Sequence, residues 1–230
     1  MINPKFTYLL LDAAVIFFPL ILSFDKKVAF YKTWKSLFLS ILIVGVGFII
    51  WDILFTKSGI WQFNPEFVSG IYFFNLPIEE CLFFITVPYS TVFIYECIRV
   101  YFKKYYTNSV TDLITKIIIA VNLITLVYGF NKVYTLVNSI VAILCIVYVA
   151  YFAKWKQLNL FYLAFTVCLL PFAICNGVLT SWPILIYNDS QNLSIRMGTI
   201  PFEDLFYNFS MIILWCFFYE KFRYMNKSHA

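Results

Sequence analysis

Two short acidic segments carry the residues best suited to chemistry in this sequence. Each has a proline, one intervening residue and then two adjacent carboxyls at the start of a long apolar run, as Pro77-Ile78-Glu79-Glu80 and Pro201-Phe202-Glu203-Asp204. Acidic residues in a first helical turn also serve as ordinary capping groups that complement the helix dipole. Four carboxyls at one mouth of a helix bundle exceed that need, and ionisable groups at membrane depth are functional candidates. We therefore predict an acid–base site at Glu79, Glu80, Glu203 and Asp204.

Only one acid of each pair can face the bundle interior, because adjacent helical residues point about 100° apart. Helical spacing from Glu79 and Glu203 passes through aromatic and hydroxyl side chains, namely Phe83, Thr86, Ser90, Tyr207 and Ser210. This polar row favours Glu79 and Glu203 as the inward acids, with Glu80 and Asp204 flanking them.

Further polar residues are predicted to support the acids. Asp52 and Asn176 lie near the ends of two apolar runs at the same depth, where hydrogen bonds to the acids are expected. The loops add Asn64, Asn188 and Arg196. Arg196 is either an exposed loop charge or a cation that keeps one carboxylate ionised while a desolvated neighbour stays protonated.

A second set of acids is predicted to be structural. Glu96 and Glu220 each stand three residues before an arginine, Arg99 and Arg223. Residues at this spacing are neighbours on a helix surface. We therefore expect ion pairs there.

An internal repeat relates the two acidic segments. A shift of 124 residues without gaps superposes polar and proline positions, pairing Asn64 with Asn188, Pro77 with Pro201, Glu79 with Glu203, Glu80 with Asp204, Asp52 with Asn176, and Tyr95-Glu96 with Tyr219-Glu220. Because the shift corresponds to four helices, the halves are predicted to be parallel, related by an axis along the membrane normal. We expect a first repeat at 1–106, a linker helix at 107–131 and a second repeat at 132–230.

The composition requires a lipid solvent. Of the 230 residues 62% are hydrophobic and 13% charged, and the mean hydropathy is +0.82. A bilayer-spanning helix needs about 20 apolar residues, and such runs fall at 6–22, 37–55, 77–98, 113–130, 133–151, 158–180 and 200–220. The sequence therefore predicts an all-α integral membrane protein with about seven transmembrane helices.

Lysine and arginine give the orientation. Twelve of these cations follow predicted helices 1, 3, 5 and 7, including Lys103, Lys104 and Lys227, against four on the other side, Lys5, Lys57, Lys132 and Arg196. The positive-inside rule then puts the N-terminus outside and the C-terminus in the cytoplasm of a multi-pass cell-membrane protein. The net charge of +5 needs no nucleic-acid partner.

The sequence lacks the residues that several classes of cofactor require. His229 is the only histidine, which argues against membrane di-iron enzymes and haem proteins. The six cysteines form no CxxC pair, and no glycine-rich dinucleotide motif occurs. We expect neither a metal nor an organic cofactor.

The motifs resemble those of the flavin-independent lycopene cyclases. The resemblance rests on Trp51–Thr56, Asn75–Glu80 and Tyr95-Glu96 for a first domain, and on Asn176–Thr180, Arg196–Tyr207 and Tyr219-Glu220 for a second. It covers nearly the whole chain and indicates the fused form of a family that also occurs as two small subunits. The family implies redox-neutral, acid-catalysed closure of lycopene ends to β-ionone rings, as in beta-carotene, without a cofactor. Its implied partners are the carotenoid, membrane lipid and other enzymes of carotenoid biosynthesis.

Three alternatives stay open. The same family cyclises longer, prenylated carotenoids, which the sequence does not separate from lycopene. A parallel-repeat transporter has the same layout of helices, although its central cavity should be polar, whereas here the middle of the runs is aliphatic and aromatic. A retinal protein would need a lysine inside the last helix, and the run at 200–220 contains none.

Overall fold

A computed structural model describes residues 3–102 and 108–228. Within them the chain forms seven long helices, α1 Thr7–Leu22, α2 Trp34–Lys57, α3 Ile78–Tyr101, α4 Asn108–Tyr128, α5 Val133–Val147, α6 Leu158–Ser181 and α7 Phe202–Ser228. Helix α5 continues as a π-helical turn, Tyr148–Phe152. Six short strands lie between the helices, β1 Trp61–Phe63, β2 Tyr72–Phe73, β3 Leu76–Pro77, β4 Leu185–Tyr187, β5 Arg196–Met197 and β6 Ile200–Pro201. The seven predicted helices and the all-α architecture are confirmed.

The helices can reach across a bilayer. Six of them, α1 to α6, are long and apolar enough to span a membrane by length and composition. Helix α7 is 27 residues long, about 40 Å at 1.5 Å per residue, and its stretch from Leu205 to Tyr219 contains no charged residue. Large apolar side chains cover the outward faces of α1 and α4, including Phe17, Phe18 and Tyr128. Such a surface is suited to lipid.

The two halves are interlocked in the helix bundle. Within the halves, α1 packs on α3, and α5 packs on α7 in the same way. Across the halves, α2 packs on α7 and α3 packs on α6. Each half therefore completes the core of the other, and Phe84, Phe209 and Trp215 are buried where they meet.

A strand pair displays the symmetry between the halves. Strands β1 and β4 are antiparallel and pair Trp61 with Tyr187, Gln62 with Ile186 and Phe63 with Leu185. Residue 186 is residue 62 shifted by the repeat of 124, so the register is centred on two equivalent residues. A twofold axis between the halves produces this arrangement. The equivalent loop bonds, Asn64 N–H to Ile184 O and Asn188 N–H to Ile60 O, are both 2.9 Å long.

A β-hairpin leads into each acidic helix. Strands β2 and β3 precede α3, and β5 and β6 precede α7. The equivalent turn residues Phe74 and Gly198 both have a left-handed φ, 54° and 65°. Glycine suits this conformation, whereas a phenylalanine is rare there. The end of the bundle that carries these strands is called the hairpin end below.

Ion pairs tie together the opposite end of the bundle, called the basic end below. Arg99 binds Glu96 at 2.7 Å and Glu220 at 3.5 Å. Arg223 reaches across the symmetry axis to Glu96 at 3.1 Å. The predicted pair of Glu96 with Arg99 is therefore confirmed, whereas Arg223 binds Glu96 of the other half instead of Glu220, because α3 and α7 face each other here.

Some predictions fall outside the described residues. These are His229, Lys103, Lys104 and the boundary between residues 106 and 107, and nothing is said of the side chain of Lys227. The division of the chain at 106 and 131 stays a prediction.

Candidate active site

An apolar cavity of about 550 Å³ opens between the two halves. Its walls are mostly aliphatic and aromatic, with contributions from α1, α3, α6 and α7. Polar groups gather at its hairpin end, where the lining residues are Tyr8, Asp52, Glu80, Tyr134, Asn176, Tyr187, Asp204 and Tyr207. A mostly apolar cavity with a few converging polar groups is typical of a small-molecule site.

Of the four acids predicted to form the site, Glu80 and Asp204 line the cavity, whereas Glu79 and Glu203 do not. The prediction that Glu79 and Glu203 face inward is therefore wrong. Two of the hydroxyls on which it rested are bonded within their own helices. Ser90 and Ser210 donate to backbone carbonyls one turn earlier in their own helices, as serines in helices often do.

Glu79 and Glu203 accept hydrogen bonds from the loops of the hairpin end. The Ser69 N–H donates to Glu79 Oε1 at 2.7 Å, and the equivalent Leu193 N–H donates to Glu203 Oε1 at 2.8 Å. The Thr135 hydroxyl adds a second bond to Glu203 Oε1, at 2.6 Å. Both glutamates are buried, so these bonds fix the backbone that covers the site.

Asp204 lies in a shell of neutral donors. The Tyr134 hydroxyl donates to Oδ1 at 2.5 Å, while the Tyr187 hydroxyl and the Asn176 amide donate to Oδ2 at 2.7 and 3.1 Å. The predicted bond from Asn176 is thereby confirmed. Burial, and next the charge of Asp204, raise the pKa of Tyr187 well above its usual range. Its hydroxyl therefore stays a donor at physiological pH.

Glu80 has a different neighbour at the equivalent position. The Tyr8 hydroxyl donates to its Oε2 at 2.5 Å, as Tyr134 does to Asp204. The second neighbour is the carboxyl of Asp52, which lies within hydrogen-bonding reach of Glu80. Asp52 also accepts a bond of 2.6 Å from the Tyr207 hydroxyl of the other half. Two carboxyls can hydrogen-bond only when one of them carries a proton.

Aromatic rings close the hairpin end of the cavity. The Trp61 ring lies 5.3 Å from Tyr134, 6.0 Å from Tyr187 and 6.1 Å from Tyr207, measured between ring centroids. Trp61 is only 5% exposed, and Phe63 and Phe83 continue the aromatic wall. This wall shields the carboxyls from water.

The loop residues predicted to support the site lie away from the cavity. Asn64 and Asn188 cap turns of their own loops, accepting from the backbone of Glu66 and of Ser190. Arg196 donates to the side chain of Asp189 and to the carbonyl of Thr199. Arg196 donates no hydrogen bond to any of the four acids.

Sequence reasoning missed the tyrosines that bind the acids. Tyr8 and Tyr134 are equivalent at a shift of 126 residues, and so are Asp12 and Asn138. The ungapped shift of 124 does not align them, because the first half is two residues longer between Tyr8 and Asp52 than the second half is between Tyr134 and Asn176. Allowing a gap would have revealed Tyr8, Tyr134 and the buried Asp12.

Comparison with known families reaches the same two regions. A model of the lycopene cyclase family matches residues 5–98 and 131–222. The chain belongs to the lycopene cyclase family. No curated protein and no solved structure matches it.

Membership in the lycopene cyclase family assigns the general activity. The two matched regions are offset by 126 residues at their starts and 124 at their ends, in agreement with the gap seen between Tyr8 and Tyr134. They contain α1 to α3 and α5 to α7 respectively. The protein is a carotenoid cyclase with an internal repeat, embedded in a membrane.

Proposed function

We propose that the protein cyclises the ends of lycopene to β-ionone rings by redox-neutral acid catalysis in the cavity beside Glu80 and Asp204. One observation carries this proposal: at the hairpin end of a mostly apolar cavity, carboxyls and tyrosines gather in one cluster. A polyene offers no polar group for recognition. The shape of the cavity must therefore position such a substrate, and a localised proton donor must start the reaction.

The reaction moves protons and electron pairs within one molecule. A carboxylic acid gives its proton to the terminal alkene, so that an O–H bond breaks, a C–H bond forms and a tertiary cation remains. An internal alkene attacks this cation and closes the ring. Loss of a proton to a carboxylate then restores an alkene, so the product has the mass of the substrate and no oxidant takes part.

The environment of the carboxyls suits this chemistry. An alkene is a weak base and requires an acid that stays protonated, which burial favours. The faces of aromatic rings stabilise cations, and Trp61, Phe63 and Phe83 line the relevant end of the cavity. Exclusion of water prevents capture of the cation as an alcohol.

Entry from the lipid is consistent with the position of the cavity. Phe18 of α1 and Ile174 of α6 both line it, yet they are 67% and 58% exposed on the outside of the bundle. The cavity is thus open sideways between these two helices. A long apolar carotenoid can insert one end there while the rest lies in the bilayer.

The hairpin end is proposed to face outward and the basic end the cytoplasm. Support comes from the sequence, in which twelve cations follow predicted helices 1, 3, 5 and 7, against four on the other side. A reporter fused to the C-terminus should then be cytoplasmic, and a tag near Ser190 should be accessible from outside. Cytoplasmic labelling at Ser190 would reverse the orientation but leave the chemistry.

The decisive test is expression in a bacterium that accumulates lycopene. The expected result is a monocyclic or dicyclic product of unchanged mass that carries β rings by chromatography and NMR. An unchanged pigment profile, with the protein verified in the membrane, would refute the assignment to lycopene. If the protein acted only on a longer, prenylated carotenoid, that carotenoid would replace lycopene as the substrate in the proposal. If the product carried ε rings, the final deprotonation step would differ from the one proposed.

A further inference from the structure

The two halves hold their cavity-lining carboxyls in unequal surroundings. In the second half, three neutral donors, Tyr134, Tyr187 and Asn176, bind the oxygens of Asp204. In the first half the counterparts of Tyr187 and Asn176, shifted by 124 residues, are Phe63 and Asp52. One donor is therefore lost, and the other is replaced by a second carboxyl.

This difference affects where a proton can reside. A carboxylate that accepts three hydrogen bonds is stabilised in its charged form. Two carboxyls in contact, each accepting a hydrogen bond from a tyrosine, share a proton instead, because two like charges at that distance repel. Asp52 and Glu80 meet this description through Tyr207 and Tyr8.

The surroundings of the first-half carboxyls supply no compensating cation. The titratable groups within electrostatic range of Glu80 or Asp52 come from α1, α3, α7 and β4, and they are Tyr8, Asp12, Cys81, Tyr187, Asp204 and Tyr207. None of these described residues is basic. Two negative charges on the pair are thus disfavoured, and a shared proton relieves their repulsion.

We infer that Asp52 and Glu80 share one proton and together form the acid of the reaction, whereas Asp204 holds its charge and accepts the proton released on ring closure. The inference rests on the proposed function and assigns different roles to the two halves. The O–H bond of the pair breaks as the C–H bond forms, leaving both carboxyls ionised for the lifetime of the cation. A new O–H bond on Asp204 forms at deprotonation, and a proton returns to the pair before the next turnover.

The first test needs no substrate. Infrared spectra of the purified protein in lipid vesicles at pH 7 should contain the C=O band of a protonated carboxylic acid, which shifts in D₂O. This band should vanish in Glu80→Gln and in Asp52→Asn, and persist in Asp204→Asn. Asp12→Asn identifies any separate band of the buried Asp12. Survival of the shared band in Asp52→Asn, or its loss in Asp204→Asn, would overturn the inference.

The reciprocal change, Asn176→Asp, reproduces the first-half pair beside Asp204. A second protonated-carboxyl band should appear, and turnover should fall because Asp204 then no longer accepts a proton freely. Asp52→Glu retains a carboxyl and should keep the band of the first-half pair. If Asn176→Asp adds no band, proximity of carboxyls is not what retains the proton.

Turnover provides a third measurement. At pH 7, Asp52→Asn should lose on the order of 10²-fold or more in turnover, the usual scale for a displaced acid. Part of the activity should return as the pH falls and Glu80 becomes protonated by itself. A purely structural role of Asp52 would lower turnover by the same factor at every pH. Absence of any cyclised product from the unmodified protein would instead refute the proposed function and leave the infrared result standing.

Discussion

At the basic end of the bundle, two glutamates lie among arginines, whereas at the hairpin end Glu80 and Asp204 lie among tyrosines. Both sets of acids are repeated in the two halves, and Glu96 of the basic end is as buried as Glu80 and Asp204, whereas Glu220 is partly exposed. The arginines bring full positive charges to Glu96 and Glu220. The tyrosines bring only dipoles to Glu80 and Asp204. A carboxylate beside arginine stays ionised, while one beside tyrosine and a second carboxyl can exchange a proton.

The comparison shows that burial and repetition alone do not mark a catalytic acid. The partners of the acid and its access to the cavity separate the two ends. Glu96 and Glu220 do not line the cavity, and Glu80 and Asp204 do. Variants at the two ends should therefore fail in different assays.

The largest expected effect is on turnover, in Glu80→Gln and Asp204→Asn. Each change keeps the size of the side chain but removes its ability to give or take a proton. Turnover with lycopene in vesicles should fall by about 10²–10⁴-fold, since proton transfer to or from a reacting group is worth that much. Folding is checked by gel filtration in detergent.

The matched controls for these variants are Glu79→Gln and Glu203→Gln. They alter the adjacent acids, which bind the loop backbone at Ser69 and Leu193 and do not line the cavity. They should lower thermal stability by about 1 kcal/mol and retain most of the turnover. If the control variants lost as much turnover as Glu80→Gln, the assignment of the inward acids would be wrong.

A smaller effect is expected from Tyr187→Phe, which gives the second half the residue found at Phe63 in the first. Asp204 then loses one of its three donors. A hydrogen bond to a charged group is worth about 1.5–3 kcal/mol, so turnover should fall by roughly 10- to 100-fold. Because the pKa of Tyr187 lies above its usual range, the loss should be constant between about pH 6 and 9.

The reverse change, Phe63→Tyr, provides the complementary test. It introduces a hydroxyl near the first-half pair, on the strand position equivalent to Tyr187. If that hydroxyl stabilises the charged form of Glu80, the acidic limb of the pH profile should move to lower pH. An unchanged pH profile would show that a tyrosine at this strand position does not by itself stabilise the charged form of the neighbouring carboxyl.

The sequence predicted the larger features of the molecule because they depend on composition and spacing. The lengths of the apolar runs predicted the seven helices, and the repeated prolines Pro77 and Pro201 predicted where the two acidic helices begin. The cross-packing of α2 on α7 and of α3 on α6 was not predicted. This packing depends on how the similar surfaces of the two halves fit together, and no local sequence pattern predicts that fit.

The orientation of the acids was the main error, and its cause is geometric. Phe83 lies four residues after Glu79 and three after Glu80, so one aromatic position is compatible with either acid facing inward. Thr86 seemed to favour Glu79, but its hydroxyl donates to Asp12 of α1, at 3.3 Å. A polar residue on a membrane helix can point to a neighbouring helix as readily as to a cavity.

The smallest effect on catalysis is expected at the basic end, from Glu96→Gln and Glu220→Gln. Neither side chain lines the cavity, so turnover should stay within about twofold of the unmodified protein, below the roughly 1 kcal/mol scale that would matter. Stability should separate the two variants. Glu96 is 1% exposed and binds both arginines, whereas Glu220 is 20% exposed, binds only one of the arginines, Arg99 at 3.5 Å, and accepts a bond of 3.1 Å from the Tyr95 hydroxyl. Removal of a buried charge that compensates two cations costs about 3–5 kcal/mol, and a partly exposed pair contributes about 0–1 kcal/mol. Thermal inactivation in detergent should therefore occur at a clearly lower temperature in Glu96→Gln and at a nearly unchanged one in Glu220→Gln. Loss of turnover in either variant, with the protein still folded, would mean that the basic end takes part in the reaction and that arginine partners do not distinguish structural acids from catalytic ones.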